Sequence, residues 1–110
     1  ALLDGGASAA TADQDGLTAL HIAAQSEADA AIIALLVARG AQVNALDRDG
    51  VSPLMMAAER GDLNQVEALL QAGATASLKD RVNGWTAADW AGKRDDDRGR
   101  AVVERLARAK

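Results

Sequence analysis

Asp13-Gln-Asp-Gly-Leu-Thr-Ala-Leu-His-Ile-Ala-Ala24 returns 34 residues later as Asp47-Arg-Asp-Gly-Val-Ser-Pro-Leu-Met-Met-Ala-Ala58. A third copy, Arg81-Val-Asn-Gly-Trp-Thr-Ala-Ala-Asp-Trp-Ala-Gly92, lies over both when Gly16, Gly50 and Gly84 are set in register. Self-similarity at one fixed period is the signature of a repeat architecture, in which each unit buries its apolar face against the next. A helical stretch follows each of the first two copies and ends in a Leu-Leu pair and then Gly-Ala. These are Leu35, Leu36, Gly40 and Ala41, and then Leu69, Leu70, Gly73 and Ala74. The opening residues Leu2-Leu-Asp-Gly-Gly6-Ala7 fit the tail of one more copy.

Each unit carries helix punctuation. Thr18, Ser52 and Thr86 precede apolar runs and are placed to accept from an unpaired N–H as N-caps. Pro53 stands at the first helical position, where its missing N–H costs nothing. The first helices are expected over about 18–26, 52–60 and 86–93. Asp62 is placed to cap a second helix in which Val66, Leu69 and Leu70 recur at helical spacing. Gly40 and Gly73 sit where such a helix must end in a left-handed turn. From each of these glycines to the next Asp-x-x-Gly the chain has turn chemistry, which predicts a projecting hairpin loop.

Composition agrees with thin layers rather than one deep core. Of the 110 residues, 49% are hydrophobic, but 27 positions are Ala, and Phe, Tyr and Cys are absent. Without Cys there is no disulfide scaffold, thiolate zinc site or cysteine nucleophile. The longest apolar run, over 30–38, has nine residues, against about 20 for a spanning helix, so no membrane segment is expected. The chain shows no basic, apolar leader, so any targeting segment was removed or never existed. Nine Arg to three Lys, together with the alanine content, is consistent with a GC-rich bacterial genome. Residues 93–110 hold seven basic and four acidic side chains, whereas residues 1–92 hold five basic and twelve acidic. An acidic body disfavours nucleic acid, whose phosphates need a basic surface. The C-terminal basic excess reads as a solvated helix face.

The pattern resembles the ankyrin repeat, whose unit of about 33 residues carries Thr-Pro-Leu-His-x-Ala. Here the matching stretches are Thr18-Ala-Leu-His21-Ile-Ala-Ala24 and Ser52-Pro-Leu-Met55-Met-Ala-Ala58, with Gly40-Ala-Gln-Val-Asn-Ala45 matching the family's linker. The resemblance covers essentially the whole chain. It implies an all-α solenoid of stacked antiparallel helix pairs with projecting hairpin loops. Its units fall at 1–12 (partial), 13–46, 47–80 and a degenerate 81–110.

Several positions depart from the family pattern. The loop at Ser26-Glu-Ala-Asp29 lacks the glycine that Gly61 supplies in the next unit, and the loop before Gly84 is one residue longer than its predecessor. In the last unit Asp89 replaces the motif His, and Lys93-Arg-Asp-Asp-Asp-Arg98 expands the turn between helices. Arg98, Arg100, Glu104, Arg105 and Arg108 then flank a Val102, Val103, Leu106 seam, as an end unit with one apolar and one charged face requires. Residues 1–12 look cut from within a unit, which predicts that the native array continues upstream.

No constellation for catalysis, cofactor or metal emerges. His21 is the only histidine and lacks the partners that acid–base work or metal ligation would need; the resemblance makes it a hydrogen-bonding link between loop and helix. Asp13/Asp15/Gly16 and Asp47/Asp49/Gly50 resemble part of a calcium loop. Where such a loop places further ligands, this sequence has Thr11 and Ile22, or Ala45 and Met56. Asp95, Asp96 and Asp97 read as a solvated loop. No glycine-rich phosphate loop is present, and no serine has an aligned base.

What remains is surface. The resemblance implies partner binding through the hairpin tips and the exposed side of the first helices, which together form a concave groove. The corresponding positions are Gln14, Asp15 and Leu17; Arg48, Asp49 and Val51; and Val82, Asn83 and Trp85. Leu17, Val51 and Trp85 form one apolar row, and Ile22, Met56 and Trp90 a second, which inter-repeat packing would also explain. Glu59 and Arg60 end the middle first helix. The expectation is a non-enzymatic scaffold that docks a protein partner, with Trp85 as anchor, Trp90, Met56 and Val51 beside it, and Asp15, Asp49, Arg48, Glu59 and Arg60 fixing orientation. A partner with a basic surface suits the acidic body, and inhibitor or immunity proteins are one such use in the family. The alternative is a purely structural segment of a larger polypeptide that binds nothing.

Overall fold

A computed structural model describes residues 12–26 and 29–108. The partial unit expected over 1–12 therefore lies outside the described residues except for Ala12. Six helices are present among them: α1 (Ala19–Ala24), α2 (Ala30–Ala38), α3 (Pro53–Arg60), α4 (Leu63–Gln71), α5 (Ala87–Gly92) and α6 (Asp97–Ala107). Each odd helix packs on the even helix that follows it. Helix α3 lies between α1 and α5, and α4 between α2 and α6. The result is two layers of helices, all-α, with the core between them.

The Thr/Ser-x-x-His pattern proves to be a reciprocal cap. The Thr18, Ser52 and Thr86 side chains accept from the backbone N–H of His21, Met55 and Asp89. The third residue returns the favour: His21 Nδ1 accepts from Thr18 N–H at 3.1 Å and Asp89 Oδ2 from Thr86 N–H at 3.0 Å. Asp can thus stand where the motif has His, because the cap needs only an acceptor at that point. His21 does more. With Nδ1 accepting, Nε2–H donates to Val51 O at 2.9 Å, joining α1 to the loop of the next unit.

Small residues set the spacing of the layers. Ala23, Ala24, Ala57, Ala58, Ala87 and Ala91 are buried on the first helices, and Ile33, Leu36, Val66, Leu69, Val102 and Leu106 fill the space behind them. At Gly99 an added Cβ would stand 2.6 Å from Ala91 O, so α6 approaches α5 more closely than any side chain allows. The Leu-Leu pairing needs correction by one residue. Closing bonds run from Ala41 N to Leu36 O and from Ala74 N to Leu69 O, both 3.0 Å. Leu36 therefore corresponds to Leu69, and Leu35 is 44% exposed.

The C-terminal charges are not simply a solvated face. Arg94 Nη1 donates to Glu59 O at 3.2 Å, Arg98 Nε to Gly61 O at 3.3 Å, and Arg105 pairs with Glu67, so three arginines tie the last helix pair to the one before. Within the acidic triplet Asp96 caps α6 through Gly99 N–H, while Asp95 and Asp97 are exposed, Asp97 pairing with Arg100 at the surface. The Arg94 guanidinium, and then the Gly99 N–H, hold the Asp96 carboxyl below its ordinary 3.8. Its stabilisation is therefore complete above the ordinary value and lost as pH falls through the lowered one. Asp96→Asn should lower stability in urea melts at pH 7, with the difference from the unsubstituted chain closing as pH falls well below 3.8. A difference that stays constant across that range would assign the effect to another group.

Candidate protein-binding surface

The hairpin loops are built alike from aspartates. Asp13 Oδ1 accepts from the N–H groups of Asp15 (2.8 Å) and Leu17 (3.0 Å), and Asp47 Oδ1 from those of Asp49 (2.8 Å) and Val51 (2.9 Å). Such side-chain-to-backbone bonds fix a tight turn. Backbone bonds then close each loop in both directions, Asp13 N to Leu17 O with Gly16 N to Asp13 O, and Asp47 N to Val51 O with Gly50 N to Asp47 O.

In the third loop this role falls to Asp80, not to Arg81 as the glycine register placed it. Asp80 Oδ1 accepts from Asn83 N–H at 2.6 Å and Gly84 N–H at 3.1 Å, and Asp80 N closes the loop on Trp85 O. The extra residue thus lies within the turn and leaves Val82 at its tip, 70% exposed. Asp80 itself is buried, and its second oxygen accepts from Trp90 Nε1–H at 2.9 Å. Neither the sequence spacing nor a motif singled it out.

Successive tips are joined edge to edge. Arg48 N donates to Asp15 O and Arg81 N to Asp49 O, each at 2.8 Å. Gly50 has φ +77°, and a Cβ there would meet Arg81 Cγ at 2.8 Å, so both backbone shape and close approach require glycine. Arg48 Nη1 pairs with Asp15 Oδ1 at 2.8 Å, and Arg81 Nη1 donates to Arg48 O at 3.2 Å. Asp15 holds the Arg48 guanidinium above its ordinary value.

The expected site residues separate into groups. Gln14, Asp15, Arg48, Asp49, Val82 and Asn83 are exposed on the tips, with Leu17 half-buried among them. Val51, Met56 and Trp90 are half-buried and pack against the core, while Ile22 in the same row as Met56 is exposed. Arg60 reaches away from the tips, to Ser26 O at 2.5 Å and Asp62 at 3.5 Å, and so ties α3 to the preceding pair. Four residues converge between the second and third units, at the ends of α3 and α5 and the third loop. The Trp85 and Trp90 rings meet edge to face with centroids 5.2 Å apart and planes at 75°. Lys93 Nζ lies 5.3 Å from the Trp85 ring centre and 4.6 Å from that of Trp90. Glu59 Oε2 stands 3.5 Å from the same ammonium. Lys93 was legible only as the end of a first helix.

No group of three His, Cys, Asp or Glu able to hold a metal occurs among the described residues, nor a helix long and apolar enough to cross a membrane. What the arrangement offers is a continuous strip of tips and first-helix ends, polar at one edge and aromatic at the other.

The family model for ankyrin repeats, three copies long, matches residues 1–80 and again residues 29–109. Protein PhlB of Serratia liquefaciens is 46% identical over 83 residues, covering 74% of this chain and 36% of that protein. The mouse B-cell lymphoma 3 protein homolog is 42% identical over 66 residues, covering 59% of this chain and 14% of its own length. The IkB-like protein of African swine fever virus is 33% identical over 82 residues, covering 72% and 34%. The chain thus spans about a third or less of the length of these relatives, and one of the three is bacterial.

Proposed function

The chain belongs to the ankyrin-repeat family, and from that membership we propose that it docks a protein partner along the strip of hairpin tips and first-helix ends, as a scaffold without catalytic activity of its own. Ankyrin repeats are generally protein–protein interaction modules. The observation that carries the finer reading is the pair of tryptophans at the third unit. Trp85 is half-buried, is not part of the core packing, and stands beside the exposed tip of Val82 and Asn83. Aromatic residues in that setting dominate binding free energy at interfaces. Asp15, Arg48, Asp49 and Glu59 lie on the same strip and supply polar orientation. Trp90, Met56 and Val51 support it from below, and Arg60 belongs to the packing between units. We place the repeat units at 13–46, 47–79 and 80–110, the last boundary one residue earlier than the glycine register gives, because Asp80 heads the third turn as Asp13 and Asp47 head the first two. Occlusion of the partner's working surface, as by an inhibitor or immunity protein, is one form of this role.

Trp85→Ala should leave the far-UV circular dichroism unchanged and weaken partner binding by about 2 kcal/mol, the threshold of a hot spot. Affinity capture from the native source followed by calorimetry with the recovered partner reads both. Unchanged affinity with the fold intact would remove Trp85 from the interface. If no stoichiometric partner is recovered, the purely structural reading takes its place. That reading draws on the apolar outer side of α2, where Ile32 and Leu35 are exposed.

A further inference from the structure

We propose that Trp85, Trp90 and Glu59 form a receptor for one cationic side chain of the protein partner, an arginine or a lysine, and that Lys93 is its resident occupant. This rests on the docking reading above and names the chemistry of one contact within it.

The walls are already in place. Trp90 is held by its indole N–H on Asp80 Oδ2 and by packing against the core, and Trp85 meets it edge to face. A receptor whose walls are fixed before binding loses little ordering entropy when a ligand arrives. An ammonium within about 6 Å of an aromatic ring centre is attracted by the ring's quadrupole. Lys93 Nζ satisfies that distance for both rings at once, with the Glu59 carboxylate completing the charge balance. The molecule thus displays a cation bound between two indoles and an acid.

That cation is replaceable. Lys93 is the C-cap residue of α5, its side chain is exposed, and its ion pair with Glu59 at 3.5 Å is also exposed. Exposed pairs of this kind contribute little, so a partner cation carrying further contacts on the strip displaces it at small cost. The sign of the ligand follows from Glu59. A partner carboxylate drawn to Lys93 would meet the Glu59 carboxylate, whereas a cation meets two ring faces and an acid. Residues 1–92, with twelve acidic against five basic side chains, steer a basic partner in the same direction.

The test uses N-acetylarginine amide and N-acetyllysine amide as probes, with N-acetylcitrulline amide as the uncharged isostere of the first. The unsubstituted chain, Lys93→Ala and the double variant Lys93→Ala/Glu59→Gln are titrated, following tryptophan fluorescence and the two indole N–H resonances. Emptying the receptor should tighten binding of both cationic probes about fivefold, the equivalent of one exposed cation–π contact. The citrulline derivative should not respond, and the Glu59→Gln change should remove the gain. Equal responses of the unsubstituted chain and Lys93→Ala, or a citrulline response matching that of arginine, would overturn the assignment. No partner is needed for this titration. A null result beside Trp85-dependent partner capture therefore removes the receptor and leaves the docking strip standing.

Discussion

Leu54→Ala is expected to destabilise the fold by about 3–4 kcal/mol, within the range for emptying a buried leucine site. Leu54 is buried in α3, the first helix of the middle layer, which packs on α1, α4, α5 and α6. In a stack where each unit is stabilised by its neighbours, a cavity in the middle layer weakens both interfaces at once. The surrounding side chains cannot collapse to fill it, because Ala57 and Ala58 already bring the helices to close range. Urea denaturation followed by circular dichroism gives the value. A loss below about 1 kcal/mol would mean that the layers are not coupled through α3 as described.

The second large effect is predicted at a residue with no motif to announce it. Asp80→Ala should cost about 3 kcal/mol, since hydrogen bonds to a charged acceptor contribute more than neutral ones and a buried donor left unpaired is costly. Asp80 receives three donors: the N–H groups of Asn83 and Gly84, and the Trp90 indole. Its removal would release the third hairpin and the ring that backs Trp85 together. Asp80→Asn keeps one acceptor, for the turn, but sets an NH2 against the Trp90 indole N–H, so it should cost less than Asp80→Ala while still releasing Trp90. Tryptophan emission should shift to the red in Asp80→Ala as Trp90 gains solvent. Thermal melts with fluorescence detection read both quantities, and an unaltered emission spectrum would contradict the tie between Asp80 and Trp90.

The local rules of the fold were legible because they are written within single units. Thr18, Ser52 and Thr86 announce helix starts by their side-chain oxygens, Gly40 and Gly73 announce helix ends, and the paired alanines mark where helices approach. Register between units was harder. Anchoring on Gly84 placed Arg81 at the head of the third turn, whereas the added residue sits inside the turn and Asp80 takes the head. The spacing of the glycines shows that the loop before Gly84 is one residue longer, but not where in the loop the added residue sits, since neither helix beside it changes phase. Leu35 misled for a related reason: every position of α2 is apolar, so the pattern does not say which leucine faces inward. Its neighbour α4 mixes Asn64, Glu67 and Gln71 with its leucines, and there the inward Val66 and Leu69 could be read, although Gln65 is buried beside them.

The strip itself was legible as a list and not as a geometry. Arg48 and Arg60 both stood out as charges near the expected groove. One pairs with Asp15 across the tips and the other turns back to Ser26 and Asp62. The basic C-terminal segment suggested a solvated face, yet Arg94, Arg98 and Arg105 reach across to carbonyls and a carboxylate of the previous pair. Apart from Arg60–Asp62, such contacts join residues 33 to 38 positions apart and depend on the rotation of one unit against the next, which no pattern within a unit records. Lys93 between Trp85 and Trp90 is the case with the largest functional consequence.

The central claim, that a protein partner docks on the tips and not on the second helices, is tested most directly by site-specific photocrosslinking in the native source. A benzophenone side chain is placed at Asn83 on the third tip or at Asn64 on the exposed side of α4, and adducts are resolved by mass spectrometry. The predicted result is one discrete protein adduct from position 83 and none from position 64. Equal adducts from both positions, or an adduct from position 64 alone, would contradict the assignment of the binding face.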